Sequence, residues 1–161
     1  MKKDIEIILI KNLQNVPNKY KNTFTKIMRL ISILFNYKLY ILIIFVLYFS
    51  NIITIRQVFI ICISQIILFL IKNIIKRKRP FNTNKNIELL ELDNFDQYSF
   101  PSGHTLNAFL LSQILQKNIG INLNILAYLV GLSRIYLGVH YPTDIIGAII
   151  LSKIIISLLV V

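Results

Sequence analysis

Long apolar runs occupy most of this chain, and a backbone in a bilayer must satisfy every N–H and C=O internally, which a helix does within its own segment. The runs at residues 30–49, 55–75, 101–117, 123–137 and 142–161 approach the ~20 residues that cross a hydrocarbon core. They predict an all-α fold, a polytopic membrane bundle of about five transmembrane helices. Residues 133–144, SRIYLGVHYPTD, interrupt this pattern between the last two runs. Arg134, His140 and Asp144 stand there between two membrane-length segments, where charge is costly and marks a functional site by default.

The predicted boundaries follow from the punctuation. Residues 1–16 place Ile5, Ile8, Leu9 and Leu13 at helical spacing between charged positions. That pattern predicts a short amphipathic helix lying on the membrane surface, too short to cross it. Its apolar stretch is also too short for the core of a cleavable leader. Pro17 ends it, and the polar, basic residues 18–29 read as a surface linker. Asn51 and Thr54 mark one tight connection, Gly120 and Asn122 another. Gly138 is placed to cap the fourth span, and Pro142 to open the fifth. The expectation is one domain over residues 1–161, with an interfacial helix and linker at 1–29 and the transmembrane bundle at 30–161. Cys62 is the sole cysteine, so an internal disulfide is excluded. The net charge of +11 would suit nucleic acid, but basic residues flanking apolar spans meet anionic headgroups or phosphate instead. The expected partners are therefore the lipid bilayer and a lipid phosphate, with no nucleic acid.

With five spans, three polar segments share one membrane face. They are residues 72–80, with Lys72, Arg79 and Pro80; residues 101–104, PSGH; and residues 133–144. Their chemistry suits phosphate. Arg79 and Arg134 can each hold two phosphoryl oxygens, and Lys72 adds a point charge. Ser102 is a natural N-cap, and its hydroxyl with the N–H groups of Gly103 and His104 would face an anion. Gly103 lets that anion approach the backbone.

In order and spacing these segments read K-x6-RP, PSGH and SR-x5-H-x3-D, and the chain resembles the type 2 phosphatidic acid phosphatase family, in particular its small bacterial membrane members such as undecaprenyl pyrophosphate phosphatases. The resemblance covers residues 72–144 by motif. It implies a lipid phosphatase in which His140 attacks phosphorus and forms a phosphohistidine. Asp144 would orient and stabilise the His140 ring. His104 would protonate the leaving oxygen and then activate water. Lys72, Arg79, Ser102, Gly103 and Arg134 would bind the phosphate. No metal and no cofactor is expected. The two histidines and Asp144 could also be a zinc set, but three adjacent cations would repel the ion. Undecaprenyl pyrophosphate is the favoured substrate, ahead of phosphatidic acid, phosphatidylglycerophosphate and lipid A phosphate. Transfer to another lipid and non-enzymatic binding of anionic lipid are the rival readings.

The remaining polar residues receive plainer readings. Lys76, Arg77 and Lys78 are read as a headgroup-facing charge run, balanced by Glu88, Glu91, Asp93 and Asp96 on a weakly helical stretch. Tyr98, Tyr136 and Tyr141 are read as interface anchors, and Asn107, Ser112 and Gln113 as bonds between helices. Orientation is contested. The basic residues before span one and in the 72–85 loop favour a cytoplasmic motif face. The family resemblance places the site on the outer, periplasmic face of the cell membrane, and that placement is preferred.

Overall fold

The structure, a computed structural model, describes residues 2–92 and 96–159, and its regular elements are all helices. In chain order they are α1 (Lys2–Gln14), α2 (Asn18–Ile33), α3 (Tyr37–Phe49), α4 (Ile55–Ile75), α5 (Pro80–Thr83), α6 (Gly103–Ile119), α7 (Asn124–Tyr136) and α8 (Pro142–Leu159). Asp93 and the predicted end of the last span, Val160 and Val161, lie outside the described residues.

The core forms around α6, which meets α4, α7 and α8. Leu106, Leu110 and Ile114, spaced by one turn, are fully buried, and so are Ser112 and Thr105 on other faces. A helix enclosed on nearly every side is a central one. Polar side chains tie it to its neighbours: Gln65 donates to Asn107 at 3.0 Å, Ser112 to Asn124 at 3.0 Å and Gln113 to Ser152 at 3.2 Å. The interhelical reading of Asn107, Ser112 and Gln113 matches this arrangement.

Local chemistry sets the helix ends. Thr54 and Gln57 form a capping box at the start of α4, satisfying two orphan donors reciprocally. Ser102 caps α6, accepting from Thr105 N. Gly138 follows α7 at φ +79°, and a Cβ there would meet the Glu88 carbonyl oxygen at 2.3 Å. Only glycine fits both the left-handed backbone and that approach.

Several expectations are corrected. Residues 18–29 are no linker but most of α2, whose Thr25, Met28 and Ser32 are buried at helical spacing. The predicted first span is broken: α2 and α3 meet at 47°, because Asn36 caps a new helix through Lys38 N. Hydropathy is continuous across that break and could not report it. Residues 87–92 are irregular, not helical. Among the described residues one helical stretch, Ile55–Thr83, is long and apolar enough to cross a membrane, or two if the bent α2–α3 pair counts as one span. The 13 residues of α7 extend only about 20 Å, short of a ~30 Å core. Tyr136 and Tyr141 are buried, not interfacial. The Tyr136 hydroxyl lies 2.8 Å from Thr25 Oγ1, and the Tyr141 hydroxyl 2.6 Å from Thr83 Oγ1.

Helix α1 is two-sided. Ile5, Ile8 and Leu9 are exposed, as its amphipathic pattern predicts. The opposite side carries Glu6, Ile10 and Gln14, four residues apart and all buried. Gln14 Nε2 donates to Tyr136 O and Glu88 O, both at 2.8 Å, fastening α1 to the end of α7.

Candidate active site

Four pieces of chain converge on one small cavity. Lys72 sits in the last turn of α4, whose left-handed C-cap at Lys76 turns the chain into an extended segment. In such a segment side chains alternate in direction. Arg77 and Arg79 accordingly turn inward while Lys78 is exposed. Gly103 and His104 begin α6, Arg134 lies in the last turn of α7, and His140 lies in the short connection to α8.

Lys72, Arg79, Gly103, His104, Arg134 and His140 all line this cavity of about 190 Å³. Asp144 is fully buried behind His140. Ser102 is buried too, but its hydroxyl is engaged within α6, accepting from Thr105 N at 3.4 Å and Thr105 Oγ1 at 2.9 Å. Ser102 thus stands beneath the cavity as a helix cap and does not line it.

The contacts of the His140 ring favour one tautomer, although its Nδ1, like His104 Nε2, makes no hydrogen bond among the described residues. Its Nε2 lies 3.4 Å from Arg79 Nη1; guanidinium is only a donor, so Nε2 presents its lone pair. The Nδ1 faces Asp144 Oδ2 at 3.4 Å, the direction in which an N–H belongs. Asp144 Oδ2 also accepts from Tyr141 N at 2.8 Å, and Oδ1 accepts from Arg77 Nη1 at 2.7 Å. Burial, then the charges of Arg79, Lys72 and Arg134, hold the His140 imidazole well below its ordinary titration range. Buried among cations, the ring stays neutral. Across the cavity, His104 Nε2 is buried with no hydrogen-bond partner among the described residues.

Carboxylates occupy the cations. Arg79 donates through Nη2 to Asp96 Oδ1 at 2.6 Å, through Nε to Asp96 O at 2.8 Å and through Nη1 to Val139 O at 2.9 Å. Lys72 Nζ reaches the same Asp96 oxygen at 3.2 Å and Tyr98 O at 2.9 Å. Arg134 Nη1 donates to Ser32 Oγ at 2.5 Å and to buried Glu91. Glu88 pairs with Lys21 at 2.7 Å. The expected pairing of the acidic stretch with Lys76, Arg77 and Lys78 is corrected: among the described residues Glu88, Glu91 and Asp96 pair with Lys21, Arg134, Arg79 and Lys72 instead. One Asp96 carboxylate oxygen is thus shared by Arg79 and Lys72.

Sequence reasoning missed Arg77. Instead of facing headgroups it bonds Asp144, Thr143 and Glu6. The signal lay in the alternation Arg77–Lys78–Arg79, which puts two arginines on one side. It also missed Glu6, and it named Glu91 without its partner Arg134, because both sets of partners lie far away in sequence.

This disposition invites comparison with known proteins. The family model described as PAP2 superfamily matches residues 53–161, which contain all three motif segments. The chain belongs to the PAP2 superfamily. Among curated PAP2 relatives, phosphatidylglycerophosphatase B of Bacillus subtilis (strain 168) is 33% identical over 91 residues, covering 48% of this chain and 41% of that protein. The undecaprenyl-diphosphatase BcrC of the same organism is 42% identical over 60 residues, covering 35% of this chain and 31% of its own length. The matches therefore span less than half of either relative. The crystal structure of a transmembrane PAP2 type phosphatidylglycerolphosphate phosphatase from Bacillus subtilis superposes with a TM-score of 0.78 at 21% identity, over 98% of this chain and 83% of that one. At that identity the likeness establishes a shared fold.

Proposed function

We propose that this chain is an integral membrane lipid phosphatase that hydrolyses a lipid phosphate or diphosphate through a phosphohistidine. The observation that carries the reading is the adjacency of two cavities that share part of their lining. An apolar groove of about 610 Å³ opens between α3 and α4, lined by residues such as Ile41, Ile44, Phe45, Ile61 and Ile66. It shares Tyr37, Gln65 and Asn107 with the cationic cavity. A molecule with a phosphate head and an apolar tail fits that pairing, and a water-soluble phosphate ester leaves the groove unused.

The chemistry balances with the residues in place. The His140 Nε2 lone pair forms the N–P bond as the bond from phosphorus to the leaving oxygen breaks. His104 gives that oxygen its proton. Asp144 holds the Nδ1–H and offsets the imidazolium charge. In the second half His104 takes a proton from water, whose oxygen attacks phosphorus as the N–P bond breaks. Lys72, Arg79 and Arg134 stabilise the equatorial oxygens throughout, once phosphate displaces Asp96 from Arg79 and Lys72. Gly103 N–H adds a donor at the α6 N-terminus, and Ser102 fixes that terminus by capping it.

The membrane reading draws on surface as well as family. Large apolar side chains are exposed along α3, α4, α7 and α8, among them Ile41, Phe59, Ile125 and Leu158. Apolar exposure on that many helices is unsuited to water. We take the bent α2–α3 pair, α4, α6, α7 and α8 as five crossings of the cell membrane, α7 crossing only together with the connections at its two ends because its 13 residues are too short alone, with the site on the outer face. Undecaprenyl diphosphate is the favoured substrate. Relatives named for that lipid and for phosphatidylglycerophosphate are both similar to this chain, and the cationic cavity reads only phosphate.

The test is phosphate release by purified protein in detergent, from undecaprenyl diphosphate beside phosphatidic acid and phosphatidylglycerophosphate. Turnover of a lipid phosphate, with acid-labile label trapped on a histidine, is expected. Absence of release from all three lipids, or release undiminished in His140→Ala, would overturn the proposal. Label passed to an added acceptor lipid in preference to water would make the enzyme a transferase.

A further inference from the structure

Asp144 is a fully buried carboxylate whose Oδ2 lies 3.4 Å from His140 Nδ1. One of its oxygens is committed to Tyr141 N and faces His140. The other is held by Arg77 Nη1 at 2.7 Å. Arg77 is fixed in turn: its guanidinium lies 3.9 Å above the Tyr141 ring, and Nη2 donates to Glu6 Oε2 at 2.6 Å. The second Glu6 oxygen accepts from Thr143 N at 3.0 Å and Thr143 Oγ1 at 2.5 Å. Glu6 on α1 thereby grips both the first turn of α8 and the arginine that holds Asp144. Arg77 does not line the cavity that Lys72, Arg79 and Arg134 share. Its place is behind the carboxylate, out of reach of phosphate.

We infer that Arg77 and Glu6 are positioning residues that hold Asp144, and through it His140, so that docking of α1 completes the active site. Arginine suits the task because its planar fork serves several acceptors at once, which an ammonium cannot do in fixed geometry. A buried carboxylate deprived of its cation loses its fixed orientation or its charge. Each loss misdirects the imidazole without touching phosphate binding. The inference rests on the phosphatase reading for its effect on turnover, and not for its effect on the histidine.

Two measurements on the full chain in detergent test it. The first is the steady-state kinetics of Arg77→Ala, Arg77→Lys and Glu6→Gln, with Lys78→Ala as control. Arg77→Ala lowers kcat by roughly 10²-fold with KM within about threefold. Arg77→Lys recovers part of the loss, and Glu6→Gln costs about tenfold. The double variant Arg77→Ala/Glu6→Gln falls no further than Arg77→Ala alone, since both act through one carboxylate. The second measurement is the ¹⁵N spectrum of histidine-labelled protein, which carries only two histidines. The His140 Nδ1 signal moves in each variant and the His104 signal stays. If Arg77→Ala does not fold, Arg77→Lys and Glu6→Gln carry the same comparison. A raised KM at constant kcat would make Arg77 a phosphate ligand and overturn the inference. So would additive losses with an unmoved His140 signal, which would mark a structural clamp. Failure of the wild type to turn over any lipid phosphate sinks the phosphatase reading alone, because the histidine signal still reports the link.

Discussion

At the scale of single residues, Arg79 shows what a guanidinium contributes beyond charge. Three of its nitrogens donate at once, two to Asp96 and one to Val139 O, the carbonyl before His140. Arg79→Lys keeps the charge and loses the fork. One lost charge-assisted bond is worth ~1.5–3 kcal/mol, so kcat/KM should fall by roughly one to two orders of magnitude. Exposed Lys78 should tolerate alanine with a change in salt sensitivity only; equal tolerance at both positions would remove Arg79 from the site. Asp96 predicts the reverse effect. Its half-exposed carboxylate competes with phosphate for Arg79 and Lys72. Screening limits that competition to about 1 kcal/mol, so Asp96→Asn should lower KM by about two- to fivefold at constant kcat. A raised KM would make Asp96 an aid to binding. His140 gives a pH prediction. Its lowered pKa keeps the neutral nucleophile populated below the usual histidine value of ~6.5. The acid limb of kcat/KM, corrected for substrate ionisation, should therefore lie below that value. The unfolded chain takes up the proton first, so stability should decline as pH falls below ~6.5. The motif residues were legible because charge amid apolar sequence needs a reason. Glu6, Glu91 and Arg77 were not, because each is explained by a partner that only the fold brings near.

At the scale of elements, sequence punctuation predicted the ends of helices better than their continuity. Gly138, Pro142 and Gly120 stand where caps and starts were expected, since each reports a local backbone requirement. The helical character of residues 18–29 goes with packing of α2 against α7, which no local signal carries, and the break at Asn36 rests on a cap that continuous hydropathy masks. The two capping glycines allow a controlled comparison. Both have positive φ, but a Cβ at Gly120 meets nothing within 4 Å, whereas at Gly138 it meets Glu88 O at 2.3 Å. Gly120→Ala should cost about 1 kcal/mol, the left-handed penalty alone. Gly138→Ala should cost more, because backbone must move, and it should also depress kcat by shifting Val139 and His140. Thermal unfolding in detergent with parallel kinetics decides this. Equal stability losses without an activity difference would show that the α7–α8 connection tolerates displacement.

At the scale of the whole molecule, the open question is which way the bundle faces. Helix α8 begins at the site with Asp144 in its first turn, and its 18 residues carry the chain about 27 Å away. Helix α1 stays beside the site, since Glu6 touches Thr143. Residue 6 and residue 159 therefore lie toward opposite ends of the bundle, the arrangement an odd number of crossings requires. The positive-inside rule counts lysines and arginines free to meet the cytoplasmic leaflet. Several basic residues on the motif face are not free: Lys72, Arg77, Arg79 and Arg134 are bonded to Asp96, Glu6, Asp144 and Glu91. Lys21 is bonded to Glu88, and Arg29 donates to Leu90 O at 2.7 Å. Internal pairing discounts much of the charge that argued for a cytoplasmic site. We expect a fluorescent protein fused after residue 161 to fold and fluoresce in cells, and alkaline phosphatase fused at the same point to be inactive. Both results place the end of α8 in the cytoplasm and the cavity outside. An active alkaline phosphatase fusion would invert the bundle, and the lysines with no ion pair among the described residues, Lys76, Lys78 and Lys85 among them, would then have outweighed the site.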